Sequence, residues 1–277
     1  MENVQRLRPV GRLLTNTWKF YQVNCKKILL LMLCGAAGMI PYAVLIAVDV
    51  KWAARLSAFA LPLSLVTLIF YLFGLYWIIS TFLAFLLLIR NPEKKLIDLF
   101  YAGTKLVWGD LAVGVISFLL VALWSLLFVI PGIIFMVFYS FARFAFVYDG
   151  YRRSAALARS KELVSGNWWA VTGRILLAML IVLVVGGLFG FLFSASHVLA
   201  VSIIARIMYY LIAFFLFAPL IGIYSALMYG DLAAIKPASS LPKEKNDYWL
   251  VVLATVALIA AVLAFLSLIA MMIMSVS

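Results

Sequence analysis

Long apolar runs separated by short polar segments dominate the chain. A helix needs about 20 mostly apolar residues to cross the roughly 30 Å hydrocarbon core of a bilayer, because its backbone polar groups must be paired within the segment. Runs of about this length recur along the sequence. They predict seven transmembrane helices, at about 28–48, 56–89, 111–130, 132–147, 168–193, 200–229 and 248–274. Six spans is the alternative, if one weakly separated hairpin does not cross.

Two of these assignments need an interpretation of the helix ends. The run at 56–89 is longer than one crossing requires, and we interpret it as a single tilted or kinked helix. The third and fourth runs meet at Pro131-Gly132 with no charge between them. Since proline cannot continue a helix and glycine tolerates unusual backbone angles, we predict that the chain turns there.

Three shorter segments have apolar residues at helical spacing and basic residues on the opposite side. We predict that they form amphipathic helices in the headgroup layer, at 6–27, 94–108 and 153–165. In the third segment, Arg159 and Lys161 are expected to face the water, and the bilayer-facing residues are expected to be Ala156, Leu157, Leu163 and Val164.

Composition supports the same class of protein. The chain is 68% apolar and 12% charged, with a mean hydropathy of +1.18, whereas a soluble domain is about 45–50% apolar and about 25% charged. The predicted fold is therefore all-α: a polytopic transmembrane helical bundle with short amphipathic interfacial helices, forming a single integral membrane domain over 1–277.

The distribution of basic residues predicts the orientation. Most of the 22 Lys and Arg residues precede the first span or follow the second, fourth and sixth spans. Because basic loops stay in the cytoplasm, we predict a cytoplasmic N-terminus and, with seven spans, an external C-terminus. The net charge of +12 is explained by this topology and by attraction to anionic headgroups, so no nucleic-acid partner is expected.

The sequence offers few groups for catalysis. His197 is the single histidine, Cys25 and Cys34 form no CxxC motif, and most carboxylates fall at span ends or in loops. A catalytic site or metal site needs a cluster of nucleophiles, bases or ligands. We therefore predict no catalytic residues, no cofactor and no metal site.

Arg143 is the clearest candidate for a functional contact, because ionisable residues inside spans are costly to bury. One interpretation is that it contacts an anionic headgroup or substrate in a cavity. The alternative is that it extends to the interface or pairs with Asp149. The predicted lipid or partner contact comprises Arg143, Asp149, Arg152, Arg153, Arg159, Lys161, Trp168 and Trp169.

Two segments resemble a known bacterial family. The first runs from Pro131-Gly132 through Asp149-Gly150 to Ala155-Ala156-Leu157-Ala158-Arg159-Ser160-Lys161-Glu162-Leu163-Val164-Ser165-Gly166-Asn167-Trp168, and the second is Met228-Tyr229-Gly230-Asp231-Leu232. They resemble the uncharacterised multi-pass proteins grouped with the glycerophosphoryl diester phosphodiesterase membrane domain. The resemblance implies a helical protein of the bacterial inner membrane. It does not imply phosphodiesterase activity, which in such proteins belongs to a separate soluble barrel.

We therefore predict a non-enzymatic inner-membrane protein that organises the membrane or envelope through contacts with lipids or a membrane-protein partner. The alternative is a transporter or permease for a lipid-like or amphipathic substrate, which would need a central polar cavity. The spans contain few polar side chains that could line one.

Overall fold

The computed structural model describes residues 7–52, 60–194 and 208–237, together with Pro242 and Val256. None of these residues lies in a β-strand, and most are helical. The predicted all-α bundle is therefore confirmed. Nearly all of the predicted seventh span, at 248–274, falls outside the described residues, as does the beginning of the sixth.

The helices are long and follow one another closely along the described chain. They are α1 (Val10–Ala37), α2 (Ile40–Trp52), α3 (Ala60–Arg90), α4 (Leu96–Leu127), α5 (Val129–Tyr139), α6 (Ala142–Asp149), α7 (Ser154–Val164), α8 (Trp168–Ser194) and α9 (Ala218–Ile235). A π-helical turn at Ala213–Phe217 leads into α9.

Six helical stretches of the described chain are long and apolar enough to cross a membrane. They are Val10–Ile46, Leu65–Arg90, Leu96–Ser125, Val129–Asp149, Trp168–Leu188 and Met208–Ile235. This is the length that a bilayer requires of a spanning helix. The chain is a multi-pass membrane protein.

Two predicted interfacial helices are not separate elements. The amphipathic segment at 6–27 continues without a break into the first apolar run as α1, and the segment at 94–108 continues into the third as α4. A change from mixed to apolar composition does not end a helix, because every backbone N–H still finds its carbonyl four residues earlier. In α1, Leu13, Thr17 and Tyr21 are buried inside the protein at a spacing of four residues. That face packs on protein, which corrects the prediction of a separate helix in the headgroup layer.

The turn between the third and fourth spans also lies elsewhere. The chain leaves the helical conformation at Phe128, where φ is −156° and ψ is 139°, while Pro131 and Gly132 lie within the first turns of α5. Proline is tolerated there, since the first N–H groups of a helix have no intrahelical partner. A Cβ on Gly132 would overlap Ser125 of α4, so this glycine permits the close approach of the two helices.

The fourth predicted span, 132–147, is interrupted. Helix α5 ends at Tyr139 and α6 begins at Ala142, with Ser140 and Phe141 between them. The interruption removes regular helical hydrogen bonds in the middle of an apolar stretch. The side-chain hydrogen bonds that replace them lie in the candidate site.

Contacts divide the chain into two compact units. Of the described residues, unit 1 contains 7–52, 60–107, 169–194 and 208–237, and unit 2 contains 108–168. In unit 1, α1 packs on both α3 and α9, and Gly103 brings α4 against the backbone of α3 at Ser80. In unit 2, α7 packs on α5 and α6.

Candidate functional site

Helix α7 is held in unit 2 by the buried apolar residues on one of its faces. The buried apolar residues of this helix are Ala155, Ala156, Leu157, Leu163 and Val164. Since α7 contacts α5 and α6, these side chains pack on the protein rather than facing the bilayer as predicted. The helix is therefore fixed to the ends of two apolar helices.

Ser160 of α7 forms hydrogen bonds with two main-chain groups at the interruption between α5 and α6. Its Oγ donates a hydrogen bond to the carbonyl of Phe138 at 2.6 Å and accepts one from the N–H of Phe141 at 3.1 Å. Both are main-chain groups at the break, and Ser160 itself is fully buried. An unpaired buried main-chain group costs free energy, so a side chain that satisfies two of them stabilises the broken span.

Arg159 lies inside the protein, with 1% of its surface exposed. Its Nη1 donates a hydrogen bond to Glu162 Oε2 at 3.0 Å, and its Nε lies 3.9 Å from Asp149 Oδ2. The prediction that Arg159 faces water is wrong, because the two carboxylates compensate its charge and allow burial. Arg159 thus links α7 to the last residue of α6.

Arg143 pairs with a different carboxylate from the one considered in the sequence. Its Nε lies 2.7 Å from Asp110 Oδ1, so the ion pair joins α6 to α4. Asp110 is 1% exposed and the Arg143 side chain is 43% exposed. Asp149, the alternative considered from the sequence, is six residues along the chain, whereas this ion pair joins Arg143 to a neighbouring helix. An acid at the start of an apolar run is the signal that could have indicated Asp110.

The remaining candidate residues are more accessible. Arg152 and Lys161 are exposed and Arg153 is half-buried. The ammonium of Lys161 lies 5.8 and 5.9 Å from the ring centres of Phe135 and Phe138 on α5, a separation at which a cation and an aromatic ring attract each other.

The two tryptophans at the start of α8 belong to different units. Trp168 is half-buried in unit 2, whereas Trp169 is 82% exposed in unit 1. Unit 2 therefore contains seven of the eight predicted contact residues. Six of them lie on α6, on α7 or in the connection between these helices, and Trp168 is the first residue of α8.

Sequence reasoning missed an ion pair in unit 1. Arg8 Nε and Nη2 both lie 2.5 Å from Asp231 Oδ1, and Asp231 is 3% exposed. Arg174 of α8 donates hydrogen bonds to the carbonyls of Arg8 at 3.0 Å and Ala170 at 2.8 Å. The pair closes the start of α1 onto the end of α9. Asp231 within an apolar helix was the available signal, because a buried acid requires a partner.

Comparisons with known proteins give no family. No family model matches the chain, and no curated protein or solved structure is significantly similar to it. Among the described residues, no three His, Cys, Asp or Glu side chains are grouped closely enough to hold a metal ion. The proposed function therefore rests on the geometry of the described residues and on the sequence resemblance given above.

Replacing Ser160 with Ala should destabilise unit 2. The variant leaves the Phe138 carbonyl and the Phe141 N–H without their side-chain partner, which costs about 1–3 kcal/mol for a buried polar group. Ser117→Ala is the matched control, because Ser117 Oγ only donates to a carbonyl of its own helix. Thermal unfolding in detergent micelles should show a lower midpoint for Ser160→Ala than for Ser117→Ala. Equal midpoints for the two variants would contradict the proposed role of Ser160 in bridging the break.

A double-mutant cycle should reveal the coupling between Asp110 and Arg143. Arg143→Leu leaves a buried carboxylate, so we expect a loss towards the lower end of the roughly 3–5 kcal/mol that breaking a buried pair costs, since Arg143 is partly exposed. Asp110→Asn should cost less, because the partly exposed guanidinium can reach polar surroundings. The double variant should be more stable than the sum of the two losses predicts, as measured by unfolding in mixed micelles. Additive losses would contradict the pairing.

Proposed function

We propose that this chain is a non-enzymatic protein of the bacterial inner membrane that contacts anionic headgroups or a membrane-protein partner through a cationic surface on unit 2. We call Arg152, Arg153 and Lys161 the α7 surface. The resemblance of the 131–168 segment to uncharacterised bacterial multi-pass membrane proteins supports this placement. Membrane lipids are the proposed primary partner, and no cofactor, metal or nucleic acid enters the proposal.

The exposure of two cations supports the headgroup contact. Arg159 pairs with Asp149 and Glu162 inside the protein, and the side chains of Arg152 and Lys161 are exposed. Cations next to an anionic leaflet are attracted by about 1 kcal/mol each. The side of α7 that faces away from the protein core is therefore suited to negatively charged lipid.

The observation that carries the proposal is the attachment of α7 to a broken span. Ser160 satisfies two main-chain groups between α5 and α6, so Lys161 lies on a helix that is already fixed. Arg152 and Arg153 lie in the connection that leads into this helix. A preordered surface loses less conformational entropy when it binds than a mobile loop does. We propose that α7 organises lipid or a partner at the membrane surface in this way.

Transport is not part of the proposal. The buried carboxylates described in the apolar helices are paired within the protein, Asp110 with Arg143 and Asp231 with Arg8. Groups that are engaged with each other do not supply the polar lining that a path for a polar headgroup would need. A contact role requires no such path.

Neutralising the α7 surface should weaken its selectivity for anionic lipid. We expect Arg152→Gln/Lys161→Gln to lower the preference for spin-labelled phosphatidylglycerol over phosphatidylcholine by about twofold at low salt. Each cation attracts a neighbouring anionic lipid by ~1 kcal/mol, but the measured preference is an average over all lipids around the protein. The measurement is electron paramagnetic resonance of the reconstituted full chain.

The matched control for this test is Lys94→Gln/Lys95→Gln, which removes two exposed cations from the connection between α3 and α4 in unit 1. This control should retain most of the selectivity. An equal loss in both variants would mean that only net charge matters, and it would contradict a specific role for α7.

Orientation is tested by labelling single cysteines. In a Cys25→Ser/Cys34→Ser background, Lys95→Cys and Ser165→Cys should be protected from a membrane-impermeant thiol reagent added outside bacterial cells, whereas Phe128→Cys should react. These three positions are exposed, and they lie at alternating ends of the apolar helices. The expectation follows from the cytoplasmic placement of basic loops. The reverse labelling pattern would overturn it.

A further inference from the structure

Two open apolar grooves lie side by side in unit 1. One, of about 270 Å³, is formed by α8 and α9, and the other, of about 210 Å³, also includes Trp18 and neighbouring residues of α1. The side chains that line both grooves are Ala178, Val182, Ile221 and Tyr224. The two grooves therefore share a wall, which these four side chains form.

The length of the wall matches one leaflet of a membrane. The first groove follows α8 from Ile175 to Leu183, a rise of about 12 Å at 1.5 Å per residue. Half of the hydrocarbon core is about 15 Å thick. A groove of about 270 Å³ along this length is too narrow for a helix, which is about 10 Å wide, whereas an acyl chain can enter it.

Cationic side chains lie at the same end of both grooves. Arg174 comes one residue before Ile175 and one helical turn before Ala178, and its carbonyl accepts a hydrogen bond from the Tyr224 hydroxyl at 3.3 Å. Its guanidinium reaches the carbonyl of Arg8, whose side chain pairs with Asp231. Arg174, Arg8 and Asp231 together carry one net positive charge, which complements one negative charge on a ligand.

We infer that unit 1 binds one anionic two-chain lipid here, with an acyl chain in each groove and the phosphate beside Arg174 and Arg8. The inference rests on the membrane placement proposed above but uses no residue of the α7 surface. Apolar burial supplies the affinity for the chains, and Arg174 supplies the preference for a negative headgroup.

Native mass spectrometry of the purified full chain tests this site. The protein is exchanged into micelles that contain equal amounts of phosphatidylglycerol and phosphatidylcholine, and the retained lipid is counted. The wild-type chain should retain phosphatidylglycerol preferentially. Arg174→Gln should lower that preference by about fivefold, as expected for loss of one cation near the headgroup. Lys94→Gln, which removes an exposed cation away from the grooves, should leave it unchanged.

A second pair of variants tests the grooves themselves. Ala178→Phe places a ring where both grooves meet and should reduce retention of either lipid. Ala170→Phe adds the same ring at an exposed position of α8 that lines neither groove, and it should retain lipid as the wild-type chain does. Undiminished retention in Ala178→Phe would overturn the groove assignment.

Three outcomes separate this site from the α7 surface. Equal retention of the two lipids by the wild-type chain would overturn the inference without any variant, and would leave the α7 proposal to its own test. Normal retention by Arg152→Gln/Lys161→Gln, together with loss in Arg174→Gln, would support a separate site in unit 1. Loss in the α7 variant alone would contradict it.

Discussion

The structure depends on one constraint: polar and charged groups within apolar helices must find partners inside the protein, because hydrocarbon supplies none. Regular helices meet this constraint for the backbone over most of their length. Buried carboxylates, and main-chain groups at a helix break, are paired instead with side chains from other parts of the chain. Asp110 is paired with Arg143, Asp231 with Arg8, and the break after Tyr139 is bridged by Ser160.

These pairings give α7 two different sides. The inner side carries the apolar residues, Ser160 and Arg159, and it is committed to unit 2. The outer side carries Lys161, with Arg152 in the preceding connection. The same division explains why an apparently amphipathic segment packs on protein: the apolar stripe that would enter a bilayer is already covered by α5 and α6. The proposed lipid contact therefore concerns the charged side alone.

The sequence was sufficient for the fold class, because the length and composition of apolar runs depend only on bilayer thickness. It did not reveal the break at Phe128 or the continuity of α1 and α4, since these depend on local geometry that proline, glycine and charge signals only approximate. The partners of Arg143 and Arg8 could not be predicted either. Asp110 and Asp231 lie 33 and 223 residues away along the chain, and only packing brings them together. The family resemblance stays a prediction.

Hydrogen–deuterium exchange of the full chain in lipid nanodiscs tests the central claim most directly, because it reports whether α7 is part of the packed protein. The account predicts that the amides of residues 157–164 exchange as slowly as those of the buried end of α3, at 83–88, and much more slowly than the exposed connection at 93–95. Exchange of α7 at the rate of that connection would contradict the account, since a helix resting on headgroups would open without disturbing the span that Ser160 bridges.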